Sequence, residues 1–333
     1  MNSNVSDPSI SHFRLCAGRS PVACVDIGGT KVAVTLVDDQ GVRAKIIEPT
    51  VTTGDNNALA LQIITLIGQS CASAGVALNA IARVGVASCG PFVLQNGLVE
   101  LAAPNLCGGL AGTARGLPNH WKTALLEAPL RKIFGHVRVE NDGIGALEAE
   151  RRWGALQVDG IPLSHCAYVT WSTGIGTGLC VDGRVLRGKN GNAGHAGHIF
   201  VSHHSDTLCG CGNVGDVESL VAGNAIARRF AHLGYADAAS LFIATYAGDT
   251  RATAIIDELC EVMGRMLYNL IVTLDLQRIS IGGSVYWHHR DYLLPRLRAV
   301  IRGKLPALTD SCELVSAGLG ERVGDFGALA LVA

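Results

Sequence analysis

No run of five or more lysines or arginines occurs in this chain, and 27 basic against 28 acidic residues leave a formal net charge of −1. Without a basic stripe there is no counterion-releasing surface, so nucleic acid is excluded as an expected partner. Charge is sparse altogether: 17% of residues are charged and 48% apolar, the balance of a compact globular protein. No window approaches eighteen uninterrupted apolar residues, which excludes a membrane-spanning helix. The first twenty residues, MNSNVSDPSISHFRLCAGRS, lack the apolar centre of a secretory signal, so 1–20 read as a loose leader and the expected compartment is cytoplasmic. A disulfide framework is missing too. The eleven cysteines are an odd number scattered through apolar runs, apart from the pair Cys209 and Cys211, and fit reduced thiols.

What is present is an alternation of β-branched runs and helical stretches, the pattern of an α/β fold. At 333 residues, one large or two medium domains are expected. Val22–Val25 and Lys31–Val37 read as strands around the turn Asp26-Ile27-Gly28-Gly29-Thr30, followed by a third strand over Val42–Ile47. Asn57–Ala74 has helical spacing, with Leu59, Leu61, Ile63, Ile64 and Ile67 as its apolar positions. Val84–Ala87 and Val137–Glu140 are further strands, and Ile144–Trp153 a helix. About 145 residues on, the opening pattern returns. VDIGGTKVAVTLVDDQGVRA and VTWSTGIGTGLCVDGRVLRG share the order strand, glycine-rich turn, strand, Asx turn. Such a duplication suits two α/β lobes, each bringing a phosphate turn to a shared cleft. Leu276–Ser284 adds a strand running into Gly282-Gly283, and Gly320–Ala333 a helical, apolar tail.

Four constellations carry chemistry. In the first turn, Gly28 and Gly29 are expected to take positive φ and leave room for a phosphate. Thr30, Lys31 and the backbone amides would donate to it, and Asp26 would hold Mg²⁺ through water. The plainer alternative is an ordinary hairpin turn, and the second copy over Thr173, Gly174 and Gly176 argues against it. Asn141-Asp142, between a strand and a helix, is either a helix cap or the place of a base that takes a hydroxyl proton. A base of nearly ordinary pKa suffices for phosphoryl transfer, whose loose transition state needs positioning and charge neutralisation above all. His198, Cys209, Cys211 and Asp216 form a candidate zinc set, since Gly210 and Gly212 let both sulfurs face one ion; two buried thiols and a surface histidine are the alternative. Gly282-Gly283 offers a close approach for an adenine ring, or simply an exit from a strand, and Gly324–Ala328 (GDFGA) is equally ambiguous.

Taken together these residues resemble the ROK family of bacterial sugar kinases and sugar-responsive repressors, from about Val22 to the C-terminus. Asp26–Lys31 is similar to the family's first phosphate motif and Thr173–Gly178 to its second, with Gly282-Gly283 as the adenosine motif. GVASCGP over Gly85–Pro91 resembles G-x-x-x-P-G-P with Cys89 in place of proline, and Ala103-Pro104-Asn105-Leu106 resembles the sugar-contacting A-P-N-L. Glu140-Asn141-Asp142 resembles the E-N-D motif, which implies Asn141 as a sugar ligand and Asp142 as the catalytic base. The resemblance implies an actin-like ATPase (ribonuclease H-like) fold of two lobes with a central cleft, ATP and Mg²⁺ as nucleotide and metal, structural Zn²⁺, and a homodimer. It divides the chain into a small lobe over 21–137, joined by the C-terminal helix near 320–333, and a large lobe over 138–319. Only about twenty residues precede Val22, which leaves no room for a repressor's winged helix, so the kinase reading is preferred.

Two departures bear on substrate and metal. Family kinases read A-G-E-x-G-H, whereas this chain has Ala193-Gly194-His195-Ala196-Gly197-His198. A carboxylate only accepts hydrogen bonds, while a neutral imidazole also donates one. His195 therefore suits an acceptor oxygen near the anomeric position. That implies a glucose analogue altered near C1, such as a valiolone-type C7-cyclitol of secondary metabolism, with His198 and Glu218 as further substrate ligands. A glucokinase, an amino-sugar kinase acting on kanosamine or an N-acetylhexosamine, and a non-catalytic sugar sensor are the alternatives. The second departure is Asp216, where the family's C-x-C-G-x-x-G-C ends in cysteine; it leaves a weaker S₂NO shell, or one completed by His203, His204 or Asp206.

Overall fold

The computed structural model describes residues 14–15, 20–111, 116–203 and 207–333. Most of the expected leader, and His204 and Asp206, lie outside these. The β-branched runs beside the first glycine turn pair as an antiparallel hairpin, Val22–Ile27 against Lys31–Asp38, with Gly41–Pro49 added on the outer side. On the other side Arg83–Ser88 and then His136–Asn141 continue in parallel. Val22–Ile27 lies inside the sheet and is buried at every position except Asp26, which is why it reads as an unbroken apolar run. The second sheet repeats this plan. Cys166–Trp171 is central, Ile175–Val181 and Arg184–Val185 run antiparallel on one side, and Arg278–Gly282 and Glu313–Ser316 run parallel on the other. The internal repeat seen in the sequence is thus a repeat of topology.

Helix Ala58–Ala74 packs on the first sheet through Leu59, Ile63, Leu66, Ile67 and Cys71. Leu61, expected on that face, is 52% exposed, because a residue two positions from Leu59 and from Ile63 falls on the helix's opposite side. Among the described residues no helix is long and apolar enough to cross a membrane.

The chain forms two compact units. Unit 1 runs to Ala149 and includes Arg187–Ala193 and Gly324–Ala333; unit 2 comprises Glu150–Leu186 and Gly194–Val323. The division expected at residue 138 therefore falls later, because His136–Asn141 is a strand of the first sheet and carries the start of helix Asp142–Trp153 with it. Arg187–Ala193, expected in the large lobe, is tied into unit 1 by side chains. Arg187 Nε lies 2.7 Å from Glu140 Oε1, and Arg138 bonds both Glu140 and Glu148 at 3.1 Å. The Asn192 amide both donates to and accepts from the Phe92 backbone at 2.7 Å.

In unit 2, Glu150 is fully buried. Its carboxylate accepts from the backbone N–H groups of Ala155 (2.8 Å), Gly318 (2.9 Å) and Leu319 (2.8 Å) and from Ser280 Oγ (3.0 Å). Four donors compensate the desolvation of this charge and join the end of the helix to the second sheet and to the loop before the last helix.

Candidate active site

In unit 1 the first hairpin turn is held from behind by Thr50. Its Oγ1 donates to the Gly28 carbonyl at 2.9 Å and its N–H to the Thr30 carbonyl at 3.1 Å, while Gly28 N–H closes the turn on Lys31. Neither Gly28 nor Gly29 takes positive φ, so that expectation fails. Gly29 instead faces a side chain: a Cβ there would lie 2.3 Å from Asn105 Nδ2 and would displace that exposed amide. The turn and the exposed Asn105 are therefore in contact, with Thr30 and Lys31 exposed beside them.

Asp26 ends the apolar run of its strand. Its carboxyl is raised above the usual range, first by desolvation and then by the Asp325 carboxylate, with Lys31 and Lys45 opposing. Asp325, from the ambiguous GDFGA segment, itself pairs with Lys45 at 2.7 Å. Asp142 is the first residue of its helix. Part of its surface reaches solvent, yet the surrounding protein desolvates its carboxyl and pushes it up to about 6, a rise opposed by the Gly143 N–H and aided by Asp26. Gly143 N–H is shared between Asn141 Oδ1 (2.9 Å) and Asp142 Oδ1 (2.8 Å), so the capping role and an acceptor role coexist in this pair. Asn141 is buried, with its carbonyl oxygen turned back to the helix. Cys89 sits against the same groups. Desolvation and the Asp142 charge push its thiol up to about 12, keeping it neutral beside Asn105. A cluster of acids reaching Asp26 and Asp142 is a hard-oxygen environment able to take Mg²⁺ through water.

In unit 2 the second turn is Ser172–Gly174, closed by Ser172 N–H on the Gly174 carbonyl at 3.0 Å, and the strand resumes at Ile175. Glu218 reaches into it, accepting from Ile175 N–H through Oε2 at 3.0 Å, and a Cβ on Gly174 would press on that oxygen at the same distance. Sequence reasoning gave Glu218 to the substrate; the geometry adds the turn as its partner. Thr173 is exposed at the tip. Gly283 takes φ 89° and backs onto the Trp171 carbonyl, while Gly282 abuts the Tyr168 hydroxyl.

His195 follows Gly194, whose carbonyl accepts from the buried Thr177 hydroxyl. The His195 ring stacks on His198 with centroids 6.1 Å apart, and among the described residues its buried Nε2 has no hydrogen-bond partner. Desolvation, aided by His198 and opposed by Glu218, lowers its pKa and favours the neutral ring. His198 turns Nδ1 to the candidate metal set: it lies 3.3 Å from Asp216 Oδ2 and 3.6 Å from Cys209 Sγ, and Cys211 Sγ lies 3.3 Å from Asp216 Oδ2. All four ligand atoms lie within 4.8 Å of one another. Tetrahedral zinc with bonds of about 2.0–2.3 Å separates its donors by roughly 3.3–3.8 Å; the three separations given fall in that range, and the donor chemistry suits the ion. Sequence spacing located all four residues, and His203 is not among them.

A duplicated sheet with a glycine turn in each copy, acids at the first turn and an asparagine–aspartate pair at a strand end define a phosphotransferase of the actin-like ATPase fold. The ROK family profile matches residues 22–333, and the chain belongs to that family. It is 33% identical over 267 residues to the N-acetylmannosamine kinase of Salmonella typhimurium, covering 78% of this chain and 82% of that one. Among solved structures it is similar to the ROK hexokinase of Thermus thermophilus, with a TM-score of 0.75 and 29% identity over 94% of this chain and 97% of the other. A ROK glucokinase from Streptomyces griseus, solved with glucose and AMPPNP, matches with a TM-score of 0.65 at 25% identity, over 92% and 97% of the two chains.

Proposed function

We propose that the chain transfers the γ-phosphoryl of ATP to the primary hydroxyl of a hexose-like acceptor altered near C1, of the valiolone-type C7-cyclitol class. The observation that carries this reading is His195, whose buried Nε2 has no partner among the described residues, at the position where family kinases have a glutamate. In the neutral ring one nitrogen donates, and a keto or ether oxygen near C1 would complete it. A ligand able only to donate at that point would match a carboxylate better.

In this reading the acceptor ligands are those that the family resemblance implies: Asn105, Asn141, His195, His198 and Glu218. The turns at Asp26–Lys31 and Thr173–Gly176 take the phosphates, and Gly282-Gly283 the adenosine. Mg²⁺, when bound near Asp26, neutralises phosphate charge. Asp142 takes the acceptor's hydroxyl proton as its oxygen bonds to the γ-phosphorus and the bond to the ADP oxygen breaks. His198, Cys209, Cys211 and Asp216 would hold zinc as a structural ion. Metal on Nδ1 would leave Nε2–H of His198 as a donor. Homodimer assembly rests on the family resemblance.

A base works deprotonated, and a carboxyl raised to about 6 is protonated below that value. kcat/KM is therefore expected to fall about tenfold per pH unit below about 6 and to level off above it. A pH–rate profile checks this; a limb near 4, the ordinary aspartate value, would contradict the desolvated setting of Asp142.

The second reading, a glucokinase or amino-sugar kinase, is favoured by the 33% identity to N-acetylmannosamine kinase. A coupled ADP-release assay over hexoses, amino sugars and cyclitols separates the two. We expect a ketone-bearing cyclitol to exceed glucose in kcat/KM, and His195→Glu to move that ratio towards glucose by at least about tenfold. Glucose ahead of every ketone-bearing cyclitol by a wide margin ends the cyclitol assignment.

A further inference from the structure

Asp216 uses its two carboxylate oxygens for different tasks. Oδ1 caps helix Val217–Val221, accepting from Ser219 N–H at 2.7 Å, and Oδ2 faces His198 and Cys211 in the metal set. The side chain is fully buried, and both oxygens face protein partners. The second residue of that helix is Glu218, whose Oε2 holds Ile175 N–H at the second phosphate turn. The helix is fastened to the same hairpin at its other end. Trp171 Nε1 donates to the Val221 carbonyl at 2.7 Å, and Gly223 N–H donates to the Ser172 carbonyl at 2.8 Å.

We propose that Asp216 is a positioning residue through which metal occupancy sets the order of the second phosphate turn, by the path Asp216, helix Val217–Val221, Glu218, Ile175. A thiolate at this position presents one soft atom, which can ligate zinc but caps a helix poorly. The carboxylate makes metal and helix share one rotamer. This rests on the kinase reading of the turn as a nucleotide-phosphate site.

The test is MgADP binding by calorimetry to full-length protein loaded with zinc and to protein stripped by a zinc-selective chelator. Stripping is expected to weaken ADP binding about tenfold in the wild type. Asp216→Asn keeps a capping oxygen but gives up the charged ligand. It is expected to lose at least about tenfold in zinc affinity and to bind ADP like the stripped wild type. Asp216→Cys is expected to hold zinc yet bind ADP weakly even when loaded. Glu218→Ala is expected to lose the difference between loaded and stripped protein, since it removes the acceptor of Ile175 N–H and cuts the link after the helix. Equal ADP affinity in loaded and stripped wild type, no zinc binding at micromolar metal, or full ADP affinity in zinc-loaded Asp216→Cys would each overturn the proposal. If the loaded wild type fails to bind ADP at all, the kinase reading falls, and the link with it.

Discussion

Asp142→Asn is expected to lower kcat by about 10²–10⁴-fold while leaving the KM for ATP and for the acceptor near their wild-type values. The amide keeps an oxygen for Gly143 N–H, and Asn141 Oδ1 accepts from the same group, so the helix start survives the change. What is lost is the lone pair that takes the hydroxyl proton. The surroundings make this separable from a folding defect: the carboxyl sits in a desolvating environment with the Asp26 charge nearby, and a neutral amide relieves both. Thermal stability is therefore expected to hold or rise as activity falls. ADP release measured beside a melting curve checks both, and unchanged turnover would remove Asp142 as the base.

The second large effect is on stability. Glu150→Ala leaves three backbone N–H groups and one hydroxyl without their acceptor in a fully buried place. Each orphaned buried group costs about 1–3 kcal/mol, and the sum is comparable to the roughly 5–15 kcal/mol that keeps a typical domain folded. Truncation would also vacate the space beside Gly154, whose Cβ position lies 2.6 Å from the carboxyl carbon. We expect Glu150→Ala to give little folded protein. Glu150→Gln, which retains one acceptor oxygen and turns an NH₂ towards donors, should melt between it and the wild type. Urea unfolding of the three chains gives the order, and a Glu150→Ala protein as stable as wild type would show that water replaces the carboxylate without cost.

Features governed by local rules were legible in the sequence. Strands announced themselves as β-branched runs, and the duplicated hairpin could be found because the same period and turn chemistry recur at two places. The cluster of His198, Cys209, Cys211 and Asp216 was found through ligand spacing. Asp216 was found only as a replaced cysteine, and its capping of a helix depends on where Ser219 N–H points. Contacts between distant segments were not legible. Nothing near Gly29 in the chain announces that the Asn105 amide lies against it, and the backbone reason assigned to the glycine does not hold, since its φ is not positive. Glu150 looks like any acid on a polar helix face until residues 280, 318 and 319 surround it. Arg187 and Asn192, which bind their segment to unit 1, have partners 47 and 100 residues away. Asp325 escaped for the same reason.

The placement of the last helix has a consequence for how this protein is made. Unit 1 starts with the first strand, yet its packing is finished by Gly324–Ala333. Gly85 lies against the Ala328 carbonyl, Gly145 against Gly327, and Arg138 donates to the Leu331 carbonyl. A chain emerging from the ribosome at about 5–20 residues per second carries an unfinished first sheet through the synthesis of all of unit 2. The unit whose strands are translated first cannot finish its packing before residues 324–333 are made. The apolar surface that Phe326, Leu329 and Val332 cover stays open until residues 324–333 have been made.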